Sequence, residues 1–599
     1  MCGIIGVAGS DGGPDAIDVL LEGLSALEYR GYDSAGVALA DTPLEVYKAR
    51  GELEALRSTV PAAELRGRTT GIGHTRWSTH GPPSDANAHP HTDTDRRVAV
   101  VHNGIIENYR SLRDELAGAG VEFASDTDTE VVPHLIASQL DAGAEPEPAF
   151  RRAVDRIEGS YAIAAVFEGE TGIYGVRNES PLVLGVGEET RYLASDVPAF
   201  IAQTDRVVYL EDGEFVHLTG DGVRVTDSSG RPVETSVETV DWDAEDTGKS
   251  GYEHYMLKEI HEQPIALRQC LRGRVDELRG EVTLEECSLE DAGRIQFVAC
   301  GTSYHAALYG AALCRRNGVG ATAYIASEYT TDRIPVDEET LVVGVTQSGE
   351  TADTLRALRE AGQAGARTLV VTNTVGSSAT RACDETMYIR AGPEVGVAAT
   401  KTFASQQLAL TLLAGELSDS VSYADIKSLR AVPDQIQSVL DTSRARAVAE
   451  ELVGSDAFFF IGRDLAYPVA LEGALKCKEI TYEHAEGFAA GELKHGPLAL
   501  VTADTPVVAV VTGDGSTARK TLSNIKEVEA RDAPVVVVTD GQSEAGRYAD
   551  YVLEVPATDE LNVAVVANVQ LQLFAYWLAN RMGRSIDKPR NLAKSVTVE

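Results

Sequence analysis

Residues 295–313, IQFVACGTSYHAALYGAAL, and 457–479, AFFFIGRDLAYPVALEGALKCKE, are built alike. Each is an apolar strand-like run that breaks at a polar, glycine-bearing turn and continues as a helix-forming stretch. The phrase then recurs in each half, as TLVVGVTQSGETADTLRALREAGQAGARTLVVTN at 340–373 and PVVAVVTGDGSTARKTLSNIKEVEARDAPVVVVTD at 506–540. Apolar strands alternating with helices indicate parallel sheets covered on both faces. Thr346 and Thr512 hold equivalent places 166 residues apart, which marks an internal duplication. The pattern predicts two α/β parallel-sheet domains, at 284–424 and 449–588, followed by a tail at 589–599.

In open parallel sheets ligands bind beyond the carboxyl ends of the strands. CGTS (300–303) and TQSGET (346–351) fall at that edge, offering hydroxyls and backbone N–H groups at helix N-termini, a good cradle for a phosphate. Ser and Thr also serve there as plain helix caps; two such turns after adjacent strands favour the cradle. The chain lacks GxxxxGK[ST], so a small sugar phosphate fits better than ATP or GTP. In the second half, EGALKCKE (472–479) puts Glu472, Lys476 and Glu479 on one helical face, and HAEGFAAGELKHGP (484–497) adds Glu486, Lys494 and His495. The set reads either as a surface salt-bridge ladder or as groups for proton transfer beside a carbonyl.

Upstream, residues 2–218 alternate short β-rich runs (RVAVVHNG, YAIAAVFEG, TGIYGVRNE, RVVYLEDGEFVHL) with helical stretches such as AIDVLLEGLSALEY. Successive strands across Gly and Asp turns predict layered antiparallel sheets with helices outside, an α+β domain. Residues 219–283, with the acidic stretch RPVETSVETVDWDAEDTGK, read as a linker. The first run, MCGIIGVAGS, makes Cys2 the terminus once Met1 is removed. Its α-amine, of reference pKa about 7.7–8.0, is then placed to activate its own thiol; from these ten residues alone a buried, inert cysteine reads equally well. Further along stand GHTRWSTHG (73–81), VHNGIIEN (101–108) and ASDTDTE (124–130). Arg76 can fork a carboxylate, Asp128 can hold an ammonium, and Asn103 with the Gly104 N–H can receive an oxyanion. His74, His80, His89 and His91 invite zinc, but no companion cysteine or HExxH pattern supports a metal.

With 599 residues the chain predicts three or four domains. The formal net charge of −39 speaks against nucleic-acid binding, and acidity spread along the whole chain suggests a protein that works in high salt, as in a halophilic microbe. No apolar run approaches the roughly 20 residues of a membrane span, and no signal peptide opens the chain, so a cytoplasmic protein is expected. Seven scattered cysteines (2, 270, 287, 300, 314, 383, 477) suit a reducing compartment.

Cys2-Gly3-Ile4, EYRGYDSAG (28–36), HTRWSTHG, HNGIIEN and SDTDTE together resemble the class II glutamine amidotransferase domain, an N-terminal-nucleophile fold of layered antiparallel sheets. CGTSY, TQSGETADT, EGALKCKE, GELKHGP and the terminal PRNLAKSVTVE resemble paired sugar isomerase (SIS) domains. In this order, over essentially the whole chain, they resemble the isomerizing aminotransferases that move nitrogen from glutamine to fructose 6-phosphate, giving glucosamine 6-phosphate and glutamate. The resemblance implies Cys2 as nucleophile. It implies glutamine contacts from Arg76, Asp128, Thr79 and His80, an oxyanion hole at Asn103 and Gly104, support from Arg30, and an ammonia gate at Trp77. It implies sugar-phosphate contacts from Thr302, Ser303, Thr346, Gln347, Ser348, Thr351 and Val397. His495 would open the sugar ring from the neighbouring subunit of a homodimer. Lys594, in a tail closing the sugar site, would form a Schiff base, and Glu479 would move a proton with Lys476 steadying the charge. No cofactor is implied. Thr346 and Ala399 replace usual serines; Thr346 keeps its hydroxyl, whereas Ala399 removes one contact. Two other Cys2-type amidotransferases would need a phosphoribosyl-pyrophosphate loop or an SGGxDS motif, and sugar-phosphate-sensing SIS regulators usually carry a basic helix-turn-helix; none stands here.

Overall fold

The computed structural model describes residues 2–10, 12–78, 80–240, 249–276, 281–287, 292–417 and 423–597. The chain divides into two compact units, residues 1–248 with 593–599, and residues 249–592.

The first unit stacks two antiparallel sheets of eight and six strands. In the first, β1 (Gly3–Gly9) lies between β2 (Thr70–Arg76) and Thr190–Ala194; in the second, β3 (Val98–Ile106) pairs with β4 (Gly159–Phe167). Alternation along β3 serves two layers at once. Ala99 and Val101 pack with Ile4, Ala8 and Ile72 between the sheets, while Val98 and Val100 pack outward with Val132, Ile136 and Phe150 of covering helices. Both faces of the strand are therefore apolar, until His102, Asn103 and Gly104 break the run where chemistry is expected.

This unit does not end at 218. β5 (Gly222–Thr226) pairs with Phe215–Thr219, and Glu238–Thr239 pairs with the strand at 206–209. The expected linker also contains α1 (Tyr255–Leu271), whose Met256, Ile260, Leu267 and Cys270 lie in the core of the second unit. The acidity that suggested a connector belongs to residues around a helix that packs. Part of the acidic stretch, 241–248, lies outside the described residues.

The second unit holds two five-stranded sheets, all parallel. One runs β6 (Arg294–Ala299), β7 (Gly320–Ile325), β8 (Thr340–Val345), β9 (Arg367–Thr372) and β10 (Glu385–Tyr388). The other runs β11 (Ala457–Gly462), β12 (His484–Ala489), β13 (Val507–Val510), β14 (Val535–Thr539) and β15 (Tyr551–Glu554). Their spatial orders are β7-β6-β8-β9-β10 and β12-β11-β13-β14-β15, so the duplication read in the sequence is a duplication of topology. In this order the switch point falls between the first and third strands of each sheet. One core runs through both sheets, joining Phe297, Tyr309 and Leu410 to Phe460 and Phe574.

Helix α2 (Gly301–Arg316) follows β6, and α3 (Ala352–Gln363) follows β8; α4 (Lys401–Glu416), α5 (Ala466–Thr481) and α6 (Val563–Arg581) complete the framework used below. Helix α6 is long and apolar enough to cross a membrane, which the run-length reading passed over because Asn568, Gln570 and Gln572 interrupt it. Those three amides are buried with it, so α6 is the central core helix of this unit.

Helix α5 lies unusually close to β11. A Cβ at Gly473 would stand 2.7 Å from Leu571 Cδ1 and 2.9 Å from Phe460 Cδ1. This contact sets the depth of its neighbour Glu472. Gly473→Ala is expected to lower stability by about 1–3 kcal/mol through overpacking, read as a reduced midpoint in urea; an unchanged midpoint would mean that the helix can shift outward freely.

Candidate active sites

In the first unit, antiparallel pairing of Gly3 with Thr75 leaves Cys2 at the end of β1, against the residues that follow β2. Its Sγ is 3.4 Å from the Trp77 backbone N and 3.5 Å from the Trp77 carbonyl. The Cys2 carbonyl accepts from Arg30 Nε at 3.2 Å and from Asn103 Nδ2 at 2.9 Å. Arg30 is fixed in turn by Asp196 at 2.9 Å, which also accepts from the Tyr29 hydroxyl. The main chain of Cys2 is thus clamped from two sides.

Asn103 is positioned from behind. Its Oδ1 and the His102 carbonyl both lie 3.1 Å from His74 Nε2. Both are acceptors, so Nε2 carries the proton. Burial keeps this imidazole neutral, with its pKa down to about 3. His89 stacks on His74 at 4.2 Å, and His91 meets His89 edge-on. The histidines that invited zinc form a neutral scaffold behind Asn103, while His80 stands apart against Tyr109. Gly104 has φ +120°, and a Cβ there would stand 2.0 Å from the Ser160 carbonyl oxygen, so glycine alone suits the position beside Asn103.

Arg76 is buried, and its guanidinium donates to Ser78 Oγ at 3.1 Å and to the carbonyls of His80 and Gly81. Burial lowers its pKa, against the opposing influence of Cys2, Asp33 and Asp128. Among the described residues no carboxylate lies within ion-pair distance of it, which leaves the fork able to meet one from a ligand. Asp128 is buried, and Oδ2 accepts the Ile106 N–H at 2.9 Å, tying the SDTDTE loop to the end of β3. Glu130 braces the same loop, accepting from the Ala124 and Ser125 N–H groups at 2.6 and 2.7 Å. Thr79 lies outside the described residues. Sequence reading passed over His74 as a positioning group, Glu130, Asp33 (which accepts the Ser78 N–H at 2.8 Å) and Asp196. The first three sat inside quoted stretches, but Asp196 carried no signal.

In the second unit, α2 and α3 start at the carboxyl ends of the adjacent parallel strands β6 and β8, at the switch point. Neither N-cap side chain, Cys300 or Thr351, makes a capping hydrogen bond, so plain capping does not account for these turns. Thr346 Oγ1 accepts the Gly349 N–H at 3.2 Å and lies 3.3 Å from Thr351 Oγ1, and Ser348 Oγ accepts the Glu350 N–H. The Gln347 carbonyl is held by Thr372, Thr374 and the Asn373 N–H. Ser303 accepts from Gln406 at 3.0 Å. Val397 lies in a loop pinned by two buried carboxylates, Glu394 on the Thr400 and Thr402 N–H groups and Glu259 on those of Val395 and Gly396. Beside Ala399, the Thr400 hydroxyl faces Glu394, so it does not replace the missing serine.

The equivalent turn of the second sheet differs. There the Asp540 carboxylate accepts the Gly513 N–H at 2.9 Å, so an internal anion holds an amide that a phosphate would use. In the first sheet Asn373 stands at that place and turns to Ala391 and Gly392 instead. At this place the first cradle has a neutral amide and its duplicate a carboxylate, which disfavours an anion.

The helical face of EGALKCKE is no surface ladder. Glu472 and Lys476 are buried, and Lys476 Nζ lies 3.4 Å from Glu472, 2.5 Å from Glu479 and 3.2 Å from Thr302 Oγ1. Thr302 also donates to Glu472 at 3.0 Å. Burial pulls the Lys476 pKa down, but Glu479 and Glu472 outweigh it and the net shift is upward. Thr302, expected only as a phosphate contact, is therefore committed to the carboxylate and ammonium of the other repeat. Glu486 and Lys494 make ordinary surface pairs with His484 and Glu527, each worth about 0–1 kcal/mol. His495 stands exposed on the turn Glu492–His495, outside the buried group. Lys594 is half-buried, and its segment, 593–599, counts with the first unit.

Fold and sites together define a glutamine amidotransferase joined to a pair of sugar isomerase domains. The family model described as "Glutamine amidotransferase domain" matches residues 74–202, and that described as "SIS domain" matches 288–415 and 451–581. The chain belongs to the glutamine–fructose-6-phosphate aminotransferase (isomerizing) family. It is 52% identical to the member from Halobacterium salinarum and 48% identical to that from Methanosarcina mazei, over 100% of each chain in both cases. Among solved structures, the C-terminal domain of glucosamine-fructose-6-phosphate aminotransferase from Francisella tularensis matches at 36% identity and TM-score 0.53, covering 57% of this chain and 99% of that one.

Glu130 supplies a test of how the Asp128 loop is held. Burial raises its pKa, but His134 at 3.9 Å and hydrogen bonds from Ser125 and Ala124 prevail and bring it from 4.5 to about 2. The stabilisation this carries is complete above the unfolded value, and is lost as pH falls through the folded one. Glu130→Gln is expected to cost about 1–3 kcal/mol at pH 7, with the gap to the parent closing towards pH 2 in denaturation curves. A gap independent of pH would show that the carboxylate's charge is not what holds the loop.

Proposed function

We propose that this chain takes the amide nitrogen of glutamine and passes it to fructose 6-phosphate, isomerising the product to glucosamine 6-phosphate with release of glutamate. The observation that carries the reading is Thr302. It leaves the phosphate cradle of one α/β repeat and is hydrogen-bonded by both Glu472 and Lys476 of the other, joining a sugar-phosphate site to proton-transfer groups.

In the glutaminase half, Cys2 Sγ attacks the glutamine amide carbon with its own α-amine as base, once Met1 is removed. Arg76 takes the substrate carboxylate and Asp128 its ammonium, with Thr79 and His80 completing the pocket. Asn103 and the Gly104 N–H receive the oxyanion. Ammonia leaves, and water hydrolyses the thioester to glutamate. Trp77, whose main chain brackets the thiol, gates the passage of ammonia. In the isomerase half, Ser303, Thr346, Gln347, Ser348, Thr351 and Val397 hold the sugar phosphate, and His495 of a neighbouring subunit opens the ring. Lys594 condenses with the C2 carbonyl, releasing water; ammonia then takes its place on C2. Glu479 removes a proton from C1 and returns it to C2, while Lys476 balances the charge. The protein is a cytoplasmic homodimer.

Two substitutions separate the halves. Cys2→Ala is expected to abolish glutamine hydrolysis and leave isomerisation of the sugar phosphate measurable. Lys594→Met is expected to lose amino-sugar synthesis and retain glutaminase activity. Loss of both activities in both variants, or of neither, would refute the assignment, as would a fully active enzyme that retains Met1 by mass spectrometry.

The net charge of −39 supports a high-salt habitat, because such a surface repels itself unless screened. Melting temperature and specific activity are expected to rise together as KCl is raised from 0.1 M into the molar range; a maximum at low ionic strength would rule this out.

A further inference from the structure

His305 has no part in the roles above. It follows Thr302 by three residues on α2, so the two share a helical face, and both reach the same carboxylate. His305 Nδ1 lies 2.8 Å from Glu472 Oε2, and Thr302 Oγ1 lies 3.0 Å from Glu472 Oε1. Glu472 is fully buried, whereas the His305 side chain retains 14% exposure. A carboxylate only accepts, so Nδ1 carries the hydrogen of this bond.

The charges around it explain why that bond matters. Lys476 is a single buried ammonium between two carboxylates, 3.4 Å from Glu472 and 2.5 Å from Glu479. Glu394 adds a third negative charge within electrostatic reach of the same ammonium. Without His305, Glu472 Oε2 would be a buried anionic oxygen lacking this donor, a costly state that nearby cations move to relieve. The nearest is Lys476. Its movement towards Glu472 would draw it from Glu479 and disturb the hydroxyl of Thr302, which touches both.

We propose that His305 is a positioning residue for the isomerase step. Its N–H holds Glu472, which leaves Lys476 with Glu479 and Thr302 turned to its present place. The proposal rests on the reading that Glu479 moves the proton, but His305 itself touches no substrate. Its removal should therefore change turnover rather than sugar binding.

The test compares three variants in the full-length enzyme. In His305→Asn the amide Nδ2 falls where Nδ1 stood; in His305→Gln the donor lies one methylene further out; His305→Ala has no donor. His305→Asn should keep kcat for amino-sugar synthesis within about threefold of the parent, while Gln and Ala lose about tenfold or more, all with KM for fructose 6-phosphate changed less than about twofold. Glutaminase activity should match the parent in all three, and the melting curve in His305→Asn; should Ala fold poorly, the Asn–Gln pair decides. Parental kcat in the Gln or Ala variant, equal losses in Asn and Gln, or a rise in KM in place of the loss in kcat would each overturn the proposal. Synthesis by the parent enzyme, measured alongside, tests the functional reading separately.

Discussion

A carboxylate taken wholly out of water must find donors on every side, and the buried Glu472 imposes that demand on the second unit. It finds Thr302 and His305 on one α/β repeat and Lys476 on its own. The partners come from both halves of the duplication, so the two sheets meet where this group is satisfied. The close approach of α5 to β11 at Gly473 fixes how deeply the carboxylate sits. Thr302 and the Glu479–Lys476 pair meet beside it.

The first unit meets a comparable demand at a strand end, with one ion-paired group and one neutral one. A thiol at the end of a strand is useful only if its main chain does not fray, and Arg30 and Asn103 hold the Cys2 carbonyl. Asn103 is held by a histidine that burial keeps uncharged, stacked on further buried imidazoles. A charged scaffold there would alter the field at the thiol; a neutral one orients the amide without adding a charge. Donors fixed before substrate arrives need no reorganisation during reaction.

The duplication also lets the two cradles be compared residue by residue. The first sheet places Asn373 at the end of its fourth strand and turns it away, and the second places Asp540 there, on a loop amide. The second repeat contributes through α5 the buried Glu472 and Lys476 and the Glu479 beside them.

Much of this was legible in the chain. Apolar strands, glycine turns and a repeat offset by 166 residues specify two parallel sheets, because strand burial and helix periodicity are local properties. The residues proposed for the glutaminase pocket stand out for the same reason, lying in short runs that interrupt otherwise apolar strands. What the chain did not reveal depends on distance in sequence. The pairing of Thr302 and His305 with Glu472 spans 170 and 167 residues, and that of Arg30 with Asp196 spans 166. Whether Glu472 and Lys476 form an exposed ladder or a buried pair is decided by what packs against α5, and periodicity is the same in either case. The same holds for α1, which follows an acidic stretch and reads as part of the connector until its apolar stripe meets a core. Residue types and their local spacing were settled by sequence; which charges lose their water, and who then partners them, was settled only when the repeats packed together.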